Sequence, residues 1–154
     1  MNVLRNTVLA MCVVAGALLG ADNPFVGSWK MNADKSDMGK SGIKPVASAT
    51  VESDGAGLKV TVDSEDAQGQ PVHWTYSATL DGKPGTINGY PYADTIMLKR
   101  VNDRTLTATA KKDGKVVYSD HRVISDDGKT MTMHRTGTNP KGEKYKATLV
   151  FDRQ

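Results

Sequence analysis

The tightest constraint on this chain is a period of two. Leu58, Val60 and Val62 alternate with Lys59, Thr61 and Asp63. Val72, Trp74, Tyr76, Ala78 and Leu80 alternate with His73, Thr75, Ser77 and Thr79, and Leu106, Ala108 and Ala110 with Thr105, Thr107 and Thr109. Tyr145, Ala147, Leu149 and Phe151 alternate with Lys144, Lys146 and Thr148. Successive side chains of a strand point to opposite faces, so each run buries one face and wets the other. That pattern predicts antiparallel strands, each with one buried side. A hydrophobic content of 38% suits such strands and is low for a parallel sheet buried on both faces.

Turn chemistry separates the runs at short intervals. Asp81-Gly82, Asp113-Gly114 and Asp127-Gly128 suit tight hairpins, because Gly accepts positive φ and Asp tolerates it. Looser turns fall at Asp54-Gly55-Ala56-Gly57 and Asn139-Pro140-Lys141-Gly142. The expected strands are 25–33, 46–53, 57–65, 71–80, 94–101, 104–112, 115–125, 129–136 and 143–153. A meander this long closes into a barrel or leaves an exposed edge. The fold class expected is all-β, a single antiparallel up-and-down barrel of about 8–10 strands. Two segments break the rhythm. Residues 34–45 are polar, with room for a helical turn. Residues 83–93 read as a loop carrying Gly85, Gly89, Pro91, Tyr90 and Tyr92.

The first segment stands apart. Residues 1–21 combine a basic start at Arg5, an apolar run from Thr7 to Leu19 and small residues after it. This is the pattern of a secretory signal peptide, and the run is too short to span a bilayer. Cleavage after Ala17 or Ala21 is expected, leaving residues 22–154 as one domain in the periplasm or outside the cell. Cys12 is the only cysteine and lies in the leader, so no disulfide supports the domain. Removing Arg5 takes the formal charge from +3 to +2. The lysines are dispersed, which speaks against a nucleic-acid surface.

Gly27-Ser28-Trp29 and Arg153 carry the argument for closure. A Trp on the first strand and an Arg on the last meet only where those strands are neighbours. Phe25-Val26-Gly27-Ser28-Trp29-Lys30 resembles the first strand of the calycin superfamily, which includes lipocalins and fatty-acid-binding proteins. The chain is also similar to bacterial exported lipocalin-like proteins in Trp29-Lys30-Met31-Asn32, Gly57 to Asp63, Ala93-Asp94-Thr95-Ile96 and Asp127 to Thr132. The resemblance implies a barrel closed at one end by Trp29 with Arg153 packed across it, a cation–π contact worth about 1 kcal/mol. It also marks a departure. Where fatty-acid-binding proteins hold a carboxylate with an Arg and a Tyr on the last strand, this chain has Leu149 and Phe151.

No motif supplies chemistry. His73, His121 and His134 have no metal-ligand spacing, and Asp120 and His121 point to opposite faces. Gly39-Lys40-Ser41 ends like a P-loop but lacks the earlier Gly and the strand–helix setting. No nucleophile elbow is present, and most carboxylates sit in turns. No catalytic residue, metal or cofactor is assigned. The candidate interior residues are Trp74, Tyr76, Met97, Tyr118 and Arg122, with Met131, Met133 and Tyr145. Tyr90 and Tyr92 are candidates for the rim. These either fill the barrel or line a pocket. An inward Arg122 or Arg135 needs a partner such as Asp120 or a ligand anion.

The expected function is binding or transport of a small hydrophobic or amphipathic molecule, without catalysis, by a monomer with no membrane span after leader removal. An envelope interaction or inhibitor module using the loops, and a barrel-type enzyme, are the competing readings. Burying about 300 Å² of apolar ligand contributes roughly 7 kcal/mol before association costs, so a plain cavity binds usefully without a polar motif.

Overall fold

The computed structural model describes residues 23–154 apart from positions 46 and 67. The expected leader, with Cys12 and both cleavage positions, lies outside the described residues. Ten antiparallel strands form one closed barrel: β1 (Gly27–Met31), β2 (Ser48–Asp54), β3 (Gly57–Glu65), β4 (Pro71–Thr79), β5 (Asp81–Asn88), β6 (Thr95–Asn102), β7 (Thr105–Lys112), β8 (Lys115–Ile124), β9 (Thr130–Thr138) and β10 (Lys144–Arg153). Each strand pairs with its successor, and β1 also pairs with β10. Closure leaves no strand edge free to recruit another chain.

The closing register sets Trp29 opposite Arg153, so the two side chains share a face. The Arg153 guanidinium carbon lies 4.2 Å from the Trp29 ring centre. Arg153 also donates to three carbonyls: Nη1 to Val26 at 2.7 Å, Nη2 to Pro24 at 2.6 Å and Nε to Gly128 at 2.8 Å. Trp29 Nε1 donates to the Phe25 carbonyl at 3.0 Å. The group thus ties the chain entry to β10 and to the β8–β9 turn. Gly27 sits at φ +139°, and a Cβ there would run into Arg153 Nη1. At this end Trp29, Phe25 and Ile124 are fully buried.

Ten strands fall within the expected 8–10, but two readings need correction. First, residues 81–88, read as a turn and loop, form β5. Gly82, Pro84 and Gly85 hide it in the sequence. β5 joins β4 through only three residue pairs, and its register to β6 shifts between Asp81 and Pro84. Pro84, which has no N–H to give, sits at that irregularity. Gly85 lets the backbone of β5 approach Ser77 and Ala78, where a Cβ would collide. Second, Met97 is not interior: Ile96 and Leu98 take the inner face of β6 and Met97 the outer. The other strand ends lie within two residues of expectation.

The polar stretch after β1 holds one turn of 3-10 helix at Ala33–Lys35, capped by Asn32 Oδ1 accepting from Lys35 N at 3.1 Å. It then runs beside β10. Asp37 and Thr148 exchange both backbone hydrogen bonds, at 2.8 and 2.7 Å. The strap ends near the β9–β10 turn, where Asn139 Nδ2 donates to the Lys40 carbonyl at 2.8 Å. That is the end opposite Trp29.

Arg153→Met keeps an apolar stem over Trp29 but removes three charged donors. It is expected to cost about 3 kcal/mol and lower the melting temperature by about 10 °C, read by circular dichroism. A melting point unchanged within error would show that the pairing of β1 with β10 closes the barrel without this contact.

Candidate functional site

The register of the last three strands stacks the interior in layers. Tyr118 and Tyr145 flank Gly137 nearest the strap. Asp120, Arg135 and Ala147 form the next row, then Arg122, Met133 and Leu149, then Ile124, Met131 and Phe151. Trp29 and Arg153 close the stack. A polar layer therefore crosses the barrel between a tyrosine layer and an apolar floor. His121, between Asp120 and Arg122, faces solvent, as do His134 and His73.

Asp120, Arg122 and Arg135 are all buried. Asp120 Oδ1 accepts from Arg122 Nε at 2.7 Å. Its Oδ2 accepts from Arg135 Nη2 at 2.6 Å, from Arg135 Nε at 3.1 Å and from Arg122 Nη2 at 3.4 Å. Arg122 Nη1 also donates to Tyr76 Oη at 2.7 Å. The Arg135 guanidinium carbon lies 3.8 Å from the Tyr118 ring centre. Burial alone would raise the Asp120 pKa. The charges and hydrogen bonds of Arg122 and Arg135 outweigh it and hold the carboxyl below its ordinary range. Burial works against the charged form of both arginines, and Asp120 more than restores it. Two fixed cations thus share one carboxylate.

The space around this layer is divided. Toward the floor lies a cavity of about 90 Å³, bounded among others by Trp74, Tyr76, Arg122, Met131, Met133 and Arg135. At the strap end a vestibule of about 590 Å³ opens to solvent. The strap (39–43), the β3–β4 turn, Tyr90, Tyr92, Val117, Tyr118, Tyr145 and the β9–β10 turn line it. Tyr90 and Ile43 border both spaces. Tyr90 stacks on Trp74 with ring centres 4.7 Å apart, Trp74 stacks on Tyr76 at 5.6 Å, and Tyr92 meets Tyr90 edge-on at 5.6 Å. This ladder of rings runs from Arg122's partner Tyr76 out to half-exposed Tyr92.

The candidate residues from the sequence therefore divide between places. Trp74, Tyr76, Arg122, Met131 and Met133 border the inner cavity, Tyr92, Tyr118 and Tyr145 the vestibule, and Tyr90 both. Met97 borders neither. Gly27, Trp29 and Arg153 are at the closed end. Ile43, Val117 and Asn139 were not foreseen as lining residues: the strap and turn that hold Ile43 and Asn139 carry no revealing pattern, and Val117 sits in β8 next to Tyr118, where apolar residues fall on both faces. The facing of Asp120 and Arg135 was open. The spacing of Asp120 and Arg122, two apart and hence on one face, was the available clue. Among the described residues, no group of three or more His, Cys, Asp and Glu side chains could hold a metal.

No protein-family model matches this chain, and no curated protein sequence does. Among solved structures it is similar to zebrafish ileal bile acid-binding protein complexed with cholic acid. The identity is 12%, the match covers 85% of this chain and 99% of that one, and the TM-score is 0.48.

Asp120→Asn leaves two buried cations without a counter-charge and should cost about 3–5 kcal/mol in urea unfolding. The linkage has one sign. The folded-state pKa of Asp120 is depressed, so its contribution is full above the ordinary carboxylate value of about 3.9 and is lost as pH falls through the depressed value. The gap between wild type and Asp120→Asn should therefore hold at neutral pH and narrow only in acid. A gap that narrows already above pH 5 would contradict an ionised Asp120.

Proposed function

We propose that this protein binds a small amphipathic molecule without transforming it, and that the molecule sits in the strap-end vestibule. The observation that carries this reading is the contrast in volume. About 90 Å³ inside the barrel holds about three waters, whereas about 590 Å³ at the mouth is within the range of small-molecule sites. Filling and pocket were both open for the interior residues, and the volumes favour a filled floor with a wide mouth. The lining suits an amphipathic guest. Tyrosine rings, Ile43 and Val117 offer apolar area, and Asn139, Gln68 and the loop backbones offer hydrogen bonds. The polar layer supports binding over catalysis, because Asp120 is saturated by its two arginines and has no proton to exchange near neutral pH. The leader pattern supports an exported protein, in the periplasm or outside the cell.

N-phenyl-1-naphthylamine, a neutral probe whose fluorescence rises in apolar surroundings, tests the site. Wild type should bind it saturably. Ile43→Trp, which fills the vestibule from the strap, should weaken binding at least about tenfold. Val101→Ser, on an exposed outer position, should leave binding unchanged. Absence of saturable binding to wild type, or equal binding by Ile43→Trp, would remove the vestibule as the site.

A further inference from the structure

The polar layer does not balance. Arg122 and Arg135 bring two positive charges to a place where Asp120 brings one negative, and all three are buried. The vestibule rim does not supply the difference. Its Lys40 and Lys141 are matched by Asp66 and Glu143. One positive charge is therefore left over directly behind the vestibule floor. A charge withdrawn from water is tolerated where an opposite charge can approach it.

A second observation points the same way. Among the described residues, the Tyr118 hydroxyl is the one buried side-chain polar atom with no hydrogen-bond partner in the protein. Burial raises the Tyr118 pKa, so the group remains an O–H donor at any working pH. Tyr118 lines the vestibule, and the Arg135 guanidinium stacks on its ring. A cation against the ring face withdraws electron density from the phenol and strengthens its O–H as a donor. Donor and uncompensated cation therefore lie together in the wall that Tyr118 gives the vestibule, and an acceptor that reaches the hydroxyl must press past the groups covering it.

The walls restrict what carries the acceptor. A long acyl chain cannot extend into the barrel, since only about 90 Å³ lies beyond the arginines. The vestibule itself is walled by Tyr90, Tyr92, Tyr118 and Tyr145 more than by aliphatic groups. Tyrosine faces and edges pair well with a flat ring, and a rigid ring forfeits less freedom on binding than a flexible chain.

We propose that the vestibule takes a compact planar aromatic acid, its anionic group accepting from the Tyr118 hydroxyl with Arg135 one ring behind. This rests on the vestibule being the ligand site and adds the class of ligand. Isothermal titration with 2-naphthoate, 2-naphthamide and dodecanoate tests it. Wild type should prefer 2-naphthoate over the amide by about tenfold or more, and over dodecanoate as well. Tyr118→Phe removes a hydroxyl that has no protein partner, so it should fold at least as stably as wild type. Arg135→Met leaves Arg122 and Asp120 as a one-to-one pair. Both variants should bring the acid-to-amide ratio down to about twofold or less.

Equal affinity for acid and amide, tighter binding of dodecanoate than of naphthoate, or an unchanged ratio in Tyr118→Phe would each overturn the proposal. Each of those results leaves the vestibule standing as a site. Failure of the neutral naphthylamine probe and of all three titrants would take the site and this inference down together.

Discussion

Barrel closure is the constraint on which everything else in this molecule rests. A ten-strand meander without disulfides gains little from any single hairpin, and each hairpin alone is marginal in water. The seam between β1 and β10 covers only three residue pairs. Arg153 reinforces it from the side by binding carbonyls of residues 24, 26 and 128 while covering Trp29. One side chain thus joins the N-terminal entry, the last strand and a distant turn. Gly27 is the local concession that makes room for it.

Closing one end decides the character of the other. In an up-and-down barrel alternate turns collect at opposite ends. The β3–β4, β5–β6 and β9–β10 connections therefore gather away from Trp29, with the strap alongside them. These run to five or six residues, whereas the closed-end turns, β8–β9 apart, have one or two, so side chains there surround a space instead of filling it. The polar layer lies between the two regimes. Below it Met131, Leu149, Phe151 and Ile124 pack as an ordinary core. Above it the tyrosine rings border open volume. Gly137, in the same row as Tyr118 and Tyr145, supplies no side chain, and the Tyr145 ring occupies the space its Cβ would need.

What the sequence made legible follows from which signals are local. Alternation of residues 58–62, 72–80, 106–110 and 145–151 is local, and those strands lie where the pattern places them. The pairing of Trp29 with Arg153 was legible because closure offers only one way for first and last strands to meet. β5 was hidden because Gly82, Pro84 and Gly85 answer to tertiary needs, an irregular register and a close backbone approach. Met97 misled because its run, Ile96-Met97-Leu98, is apolar on both faces, and a one-residue slip inverts the facing. The site was the least legible part. Asp120, Arg122 and Arg135 come from two strands, and the strap and turns that complete the vestibule are polar loops without periodicity.

The polar layer breaks the rules that the rest of the barrel obeys, and the break is confined. Elsewhere the buried set is apolar, apart from Ser41 and Thr105. An apolar replacement of similar volume for a buried ion pair or triad is often neutral or stabilising, so folding alone does not demand these three residues. Nor does folding demand a hydroxyl on Tyr118, where a phenylalanine would fill the same space without an unmet donor. The two departures touch each other through the Arg135–Tyr118 stack and lie where the filled barrel gives way to open volume. Local conflicts with folding rules concentrate where a protein does its work. Their coincidence at this boundary, more than the size of the vestibule, is what favours the proposed site at the mouth of the barrel.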